Sequence, residues 1–536
     1  MISARNRELL LWCLPALLLG AWLRIELLNG WRGGLYFGPD SGSYWETAFR
    51  FASGGHFEVS GKRPWLYPAI VWLTGHGPSS PAFSVALVQQ FIAWLSILAL
   101  GALVRLIVPF WKWFIIPATA LYAGQPEILY WGHVLIADSL FISTTLAVAL
   151  AVTIYWQKPT WQWLAITAAL VFIAMALRPV GRTLWLPLIP IALLVPHVAW
   201  RQKFLHAAAL ALLYFPASAA TSVTQGEDLL FASTFPLMRL DTPLHADLKA
   251  ELRPQVEAAR ADLWKYVTVG QREVWGELID DRPDDPDSIL QKLRADKKRY
   301  GQVRREISRE ALRSDPLNYA RMVVMKIYFV FALNESHDRL DPARWSGASE
   351  KFLHNAAQKI DLNFPAYVLR NATIASTLTA SGSQQRVLRA LNFFDQLCTP
   401  FSLHGKQPDR WWWIIPAALG LLIFPWKQDG HRLVPLLILT VGYLAMTFLV
   451  GRAVGRYRLP IEFTLYLTAA AGFASFFTKR GSGNSGERTR LAETNFPDAT
   501  TSENVNTFPN AAAQKSPSPR DAKTLHARRL RSPDFQ

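Results

Sequence analysis

Two carboxylates and a set of basic side chains stand beside the ends of apolar runs, and these are the residues whose types could do chemistry. Asp40 lies in the Gly/Pro-rich turn Phe37-Gly38-Pro39-Asp40-Ser41-Gly42-Ser43-Tyr44, just before a short amphipathic segment at 44–52. Ser43 and Glu46 stand three apart as a capping box, so the helix start does not need Asp40 as its cap. A loop carboxylate free of capping duty is a candidate general base. The plainer reading is a solvated turn residue. Asp138 closes a second turn, Gly132-His133-Val134-Leu135-Ile136-Ala137-Asp138, and opens the apolar run that follows. Lys62, Arg63, Arg178, Arg182, Arg452, Arg456 and Arg458 flank other runs. Taken singly, long basic side chains beside a membrane can merely snorkel. As a set at one depth, guanidinium groups make a phosphate site. Carboxylates beside it suit acid–base chemistry on whatever that phosphate carries.

The elements that must position these residues are membrane-length. Apolar residues make up 51% of the 536 and charged residues only 18%, with Trp and Phe frequent, so the chain reads as a polytopic α-helical membrane protein. The net charge of +16 falls largely in short loops and in the tail, where it sets topology and gives no reason to expect nucleic acid. Two cysteines, Cys13 and Cys398, exclude a disulfide framework, and no Cys/His cluster of metal type occurs.

Residues 1–220 form an N-terminal module of seven spans, at 9–28, 83–108, 114–131, 139–156, 163–177, 184–200 and 206–220. Arg5 and Arg7 put the N-terminus in the cytoplasm, which makes 31–81 an external loop and Arg201-Gln202-Lys203 a cytoplasmic turn. Residues 221–410 are charge-dense and read as an extracytoplasmic domain, interrupted by an apolar stretch at 322–333 that is short for a span and fits an interfacial helix. Three further spans, at 411–426, 433–450 and 457–477, complete the 411–480 segment, about ten spans in all. With 322–333 outside the count, Lys479-Arg480 falls in the cytoplasm, followed by a disordered basic tail at 481–536.

Nucleotide and hydrolase motifs are absent. Gly61-Lys62 lacks the first Gly of a phosphate loop, and Arg63 stands where Ser or Thr belongs. In the proposed topology Lys62, Arg63, Arg178, Arg182, Arg452, Arg456 and Arg458 fall on external boundaries, against the positive-inside tendency. Five stretches together resemble the GT-C superfamily of polyprenyl-phosphate-sugar-dependent membrane glycosyltransferases, whose members include protein O-mannosyltransferases and lipid A aminoarabinose transferases. They are Pro39-Asp40 through Tyr44, Arg63-Pro64-Trp65-Leu66-Tyr67-Pro68, Asp138-Ser139-Leu140-Phe141, Leu177-Arg178-Pro179 and Arg456-Tyr457-Arg458-Leu459-Pro460. The likeness covers roughly 1–220 and 410–480; the middle region matches nothing in it.

The resemblance implies transfer of a sugar from a polyprenyl-phosphate-linked donor to an acceptor hydroxyl of a glycan, lipid or protein. It implies a site facing the periplasm or exterior of a bacterial plasma membrane, and a single inverting displacement. Asp40 and Asp138 are then the catalytic candidates. Lys62, Arg63, Tyr67, His133, Arg178, Arg182, Arg456, Tyr457 and Arg458 are the substrate-binding candidates. Many relatives carry Asp-Glu where this chain has Asp40-Ser41, which leaves a divalent metal ion open. Two readings from other classes compete: a transporter or flippase for a lipid-linked or anionic solute, and a non-catalytic lipid-binding assembly protein. A transporter predicts charge near mid-membrane and broken spans.

Overall fold

The structure, a computed structural model, describes residues 4–30, 63–74, 81–109, 112–221, 226–270, 296–332 and 430–450, with separate positions within 41–48, at 293, and within 386–394 and 459–471. Among these residues helix dominates and there is no β-strand. Among the described residues, four helices hold stretches long and apolar enough to cross a bilayer: Asn6–Leu28, Ser84–Ile107, Asp138–Gln157 and Trp200–Ala220. Shorter apolar helical stretches run over Trp161–Leu177, Pro179–Leu194 and Val434–Leu449. The chain is a helical membrane protein.

Helix α1 (Ala4–Gly30) shows why. Cys13, Ala16, Leu23 and Leu27 recur at helical spacing and are buried. Leu11, Leu14, Leu18, Trp22 and Ile25 recur at the same spacing on the outside, where Leu11 is 69% exposed. Apart from Arg24 on the buried side, both faces are apolar, so the helix is built to pack on protein with one face and on lipid with the other. After α2 (Leu66–Thr74), α3 (Pro81–Ile107) packs against α1 and against α4 (Ile115–Gly124). Then come α5 (Pro126–Trp131) and a helical hairpin of α6 (Asp138–Gln157) and α7 (Trp161–Leu177), with α6 packed between α7 and α3.

The expected span at 114–131 is two helices. Gln125 is extended (φ −63°, ψ 117°) and Pro126 takes the first turn of α5, because a residue before proline is pushed out of helical geometry. The expected span at 184–200 is also broken. A 3₁₀ segment, Pro179–Leu184, leads to α8 (Leu188–Leu194), which stops at Val195, extended before Pro196. Helix α9 (Trp200–Ala220) starts six residues ahead of the expected boundary, so Arg201, Gln202 and Lys203 lie in its first turn and not in a connecting loop.

Beyond α9, helices α10 (Gly226–Thr234), α11 (Ala246–Ala261), α12 (Lys297–Ser314) and α13 (Pro316–Ala332) gather around a separate core containing Phe231, Leu252, Ile307 and Met322. Phe448, near the end of α14 (Val434–Val450), is buried in that same core. The expected span at 411–426, most of 457–477 and the tail at 481–536 lie outside the described residues.

Polar contacts identify the two ends of the bundle. Glu8 at the start of α1 accepts from Arg105 at the end of α3 (2.8 Å) and from Lys112 before α4 (2.6 Å). Arg432, before α14, reaches the Leu106 carbonyl at 3.5 Å. At the opposite end Arg182 donates to the carbonyls of Ser218 and Thr221, closing the last turn of α9, and Thr183 meets Thr447 at 3.3 Å.

Candidate functional site

Asp138 and Arg178 are placed by the α6–α7 hairpin. The start of α6 and the end of α7 necessarily share one end of an antiparallel pair, so the first residue of one faces the last of the other. Ala137 provides no side-chain cap to α6, and Asp138 enters its first turn, where the helix dipole favours a negative charge. Arg178 ends α7 in extended geometry (φ −146°, ψ 141°), imposed by Pro179, while its own amide still donates to the Ala174 carbonyl at 3.0 Å. The chain then doubles back on α7 through Gly181. A Cβ there would stand 2.4 Å from the backbone carbonyl carbon and oxygen of Ala174, so only glycine fits.

The Arg178 guanidinium donates to the Asp138 carboxylate. Their side chains are 8% and 3% exposed, so this is a buried ion pair. Arg178 also lies 5.8 Å from the ring centre of Phe141, one turn into α6.

A second set of contacts brings α2 and the first loop to the same place. The Tyr67 hydroxyl donates to Gln89 Oε1 at 2.5 Å, and Gln89 Nε2 donates to the carbonyls of Gly132 and Val134, both at 3.0 Å. Gln90 Nε2 donates to the Leu129 carbonyl at 2.8 Å and lies 3.0 Å from His133 Nδ1. Adjacent glutamines on α3 thus clamp the turn that leads into Asp138. Gly132 lets Gln90 approach, since a Cβ there would sit 2.4 Å from its amide nitrogen. Burial holds the Tyr67 phenol well above its ordinary range, and Tyr44 and Asp138 push the same way, so it remains a donor. Burial also pushes His133 down to about 3, which keeps the imidazole neutral.

Arg63 joins through Tyr44. Its Nε donates to Ser43 Oγ at 2.8 Å, its guanidinium lies 5.0 Å from the Tyr44 ring centre, and that ring meets Tyr67 edge-on at 4.9 Å. Ser43 is inside a helical stretch that already includes Ser41, and its carbonyl accepts from Thr47 Oγ1 at 2.8 Å. The expected capping box at Ser43 is therefore not how this helix begins.

Five sequence candidates come together: Arg63, Tyr67, His133, Asp138 and Arg178. Arg182 does not join them, because it holds the end of α9. Asp40, Lys62, Arg456, Tyr457 and Arg458 lie outside the described residues. Among the described residues no group of three His, Cys, Asp or Glu side chains could hold a metal ion.

Among the described residues, several polar side chains buried in the bundle were not picked out from sequence as site candidates, and four of them make contacts that bear on the site. Two are the glutamines, Gln89 and Gln90. Arg24 of α1 is 3% exposed; its Nη1 donates to the carbonyls of Gly20 (3.1 Å) and Ala123 (3.4 Å), while Nε and Nη2 have no hydrogen-bond partner among the described residues. The last is Glu462, whose carboxylate accepts from Gln125 at 2.8 Å, at the break between α4 and α5. Polar residues inside apolar runs were the available signal.

No protein-family model and no curated protein sequence matches this chain.

Proposed function

We propose that this protein is a membrane glycosyltransferase that moves a sugar from a polyprenyl phosphate to an acceptor hydroxyl, at the extracytoplasmic end of a GT-C-like bundle of about ten spans. The observation that carries this reading is that the buried Arg178–Asp138 pair lies close enough to Tyr67 to act on it electrostatically, with Arg63 joined to Tyr67 through Tyr44, all from separate parts of the chain. The basic residues Arg105, Lys112 and Arg432 gather at the other end, and taking that end as cytoplasmic by the positive-inside tendency supports a site that faces outward. In a bacterium this is the periplasmic side of the plasma membrane.

In the reaction, the acceptor oxygen attacks the anomeric carbon as the bond from that carbon to the phosphate oxygen breaks. Asp40 takes the acceptor proton, and the lipid phosphate leaves with the bonding electrons. Fixed cations stabilise its charge: Arg178 first, with Lys62, Arg456 and Arg458 from the flanking loops. Asp138 positions the planar fork of Arg178 and so acts through it. The test is transfer by the purified protein from a panel of polyprenyl-phosphate sugars. Asp40→Asn should lower turnover about 10²–10⁴-fold with donor binding retained. Absence of transfer by the unaltered protein from every donor and acceptor class sinks the reading.

One observation favours transport instead. The α4–α5 break, with Glu462 against Gln125 and Arg24 buried nearby against Ala123, puts ionisable groups and an interrupted helix inside the bundle. Proteoliposomes that move a lipid-linked sugar across the bilayer without transferring it would establish that alternative.

A further inference from the structure

Helix α13 has two sharply different faces. Tyr319, Met322, Val323, Lys326 and Val330 point into the core beneath it. Leu317, Arg321, Val324 and Tyr328 are exposed, and at about 100° per residue they fall within roughly 60° of arc, opposite the buried set. Leu317 is 83% exposed and Val324 64%. Trp264, itself exposed, packs beside this face with its ring centre 5.9 Å from that of Tyr328. The face is therefore apolar, edged by an aromatic pair and carrying one guanidinium.

The core under α13 is fastened to the apolar helix α14. Lys326 Nζ donates to Ser233 Oγ on α10 at 2.9 Å and to the carbonyl of Phe448, near the end of α14, at 3.5 Å. Phe448 is fully buried in the α13 core, while Val441, two turns back along α14, is 64% exposed on an apolar helix. The level of α13 is thus fixed at the end of an apolar helix whose outer face is exposed. We propose that the Leu317–Arg321–Val324–Tyr328 face of α13, with Trp264, lies on the bilayer surface. The apolar side chains enter the headgroup boundary, the Trp and Tyr rings sit at the interface, and Arg321 meets lipid phosphates. Arg321 on the lipid face and buried Lys326 make the helix unsuited to crossing, so it lies along the membrane. The inference rests on the membrane reading alone and is independent of sugar transfer.

The test uses the full chain in vesicles of phosphatidylcholine and phosphatidylglycerol, with Cys398 replaced by Ser and Cys13 left buried in α1. An environment-sensitive fluorophore is placed on Val324→Cys or, for comparison, on Gln302→Cys at an exposed position of α12. At 324 the emission should shift to the blue, nitroxide carried on lipid near the headgroup should quench it several-fold, and aqueous iodide should quench it little. At 302 the pattern should reverse. Iodide quenching at 324 without lipid quenching overturns the proposal, because the face is then in water. Protection from both quenchers that disappears on diluting the protein in lipid also overturns it, because a second copy then covers the face.

Discussion

At the scale of single residues, the Asp138–Arg178 pair is the feature with the largest consequence. Both side chains are buried, so removing one takes the direct counter-charge away from a buried charge, at a cost of about 3–5 kcal/mol. Asp138→Asn and Arg178→Ala should each lower thermal stability markedly in detergent. The double variant Asp138→Asn/Arg178→Met should recover much of the loss, yet remain inactive in sugar transfer. Equal stability of the two single variants and the unaltered protein would show that the pair is not closed in solution. His133 gives a second residue-scale prediction. Its folded pKa lies near 3, below the ordinary 6.5, so the unfolded chain takes up the proton first as pH falls. Its contribution is therefore complete above about pH 6.5 and declines at about 1.4 kcal/mol per pH unit down to about pH 3. Melting temperature against pH, compared with His133→Gln, should show the variant falling less steeply over that window; parallel curves would remove His133 as the cause.

At the scale of elements, the site depends on how the chain enters and leaves α6 and α7. Gly181→Ala drives a methyl group into the Ala174 carbonyl and the Met175 amide, which are backbone and cannot turn aside. A cost at or above the usual 1–3 kcal/mol of overpacking is expected, with Arg178 displaced. For Gly132→Ala the nearest atoms are those of the Gln90 side chain, which can turn aside, so thermal unfolding should rank it the milder change. The reverse ranking would mean that the Pro179–Leu184 segment gives way more easily than its packing implies. Sequence made some of this legible. A carboxylate opening an apolar run and Arg-Pro closing one are local marks, and Asp138 and Arg178 were found by them. Gln89 and Gln90 were missed because their work is to hold a turn some forty residues away, which no local pattern records. Pro126, Pro187, Pro190 and Pro196 were visible, but hydropathy sums read through them; apolar content gives the thickness of a membrane and says little about whether a helix stays continuous across it.

At the scale of the whole molecule, the site reading depends on which ends of the helices lie on the same side. Contacts fix this for the described part: the ends of α7, α9 and α14 meet through Arg182, Thr183 and Thr447, and the helices at 226–332 follow directly from α9. If α9 crosses the membrane, its first turn and α12 must be on opposite sides. Arg201 in that turn and Gln302 on α12 are both exposed, so each can carry a single reporting cysteine. Arg201 belongs to the basic end, which the positive-inside tendency places in the cytoplasm. An impermeant thiol reagent should therefore modify Gln302→Cys in intact cells, and Arg201→Cys only after the cells are opened. Modification of both from outside would mean that α9 does not cross, and would separate the helices at 226–332 from any side assignment. Modification of Arg201→Cys alone from outside would invert the molecule and put the Asp138–Arg178 end in the cytoplasm. A lipid-linked donor would then have to present its sugar on the cytoplasmic face.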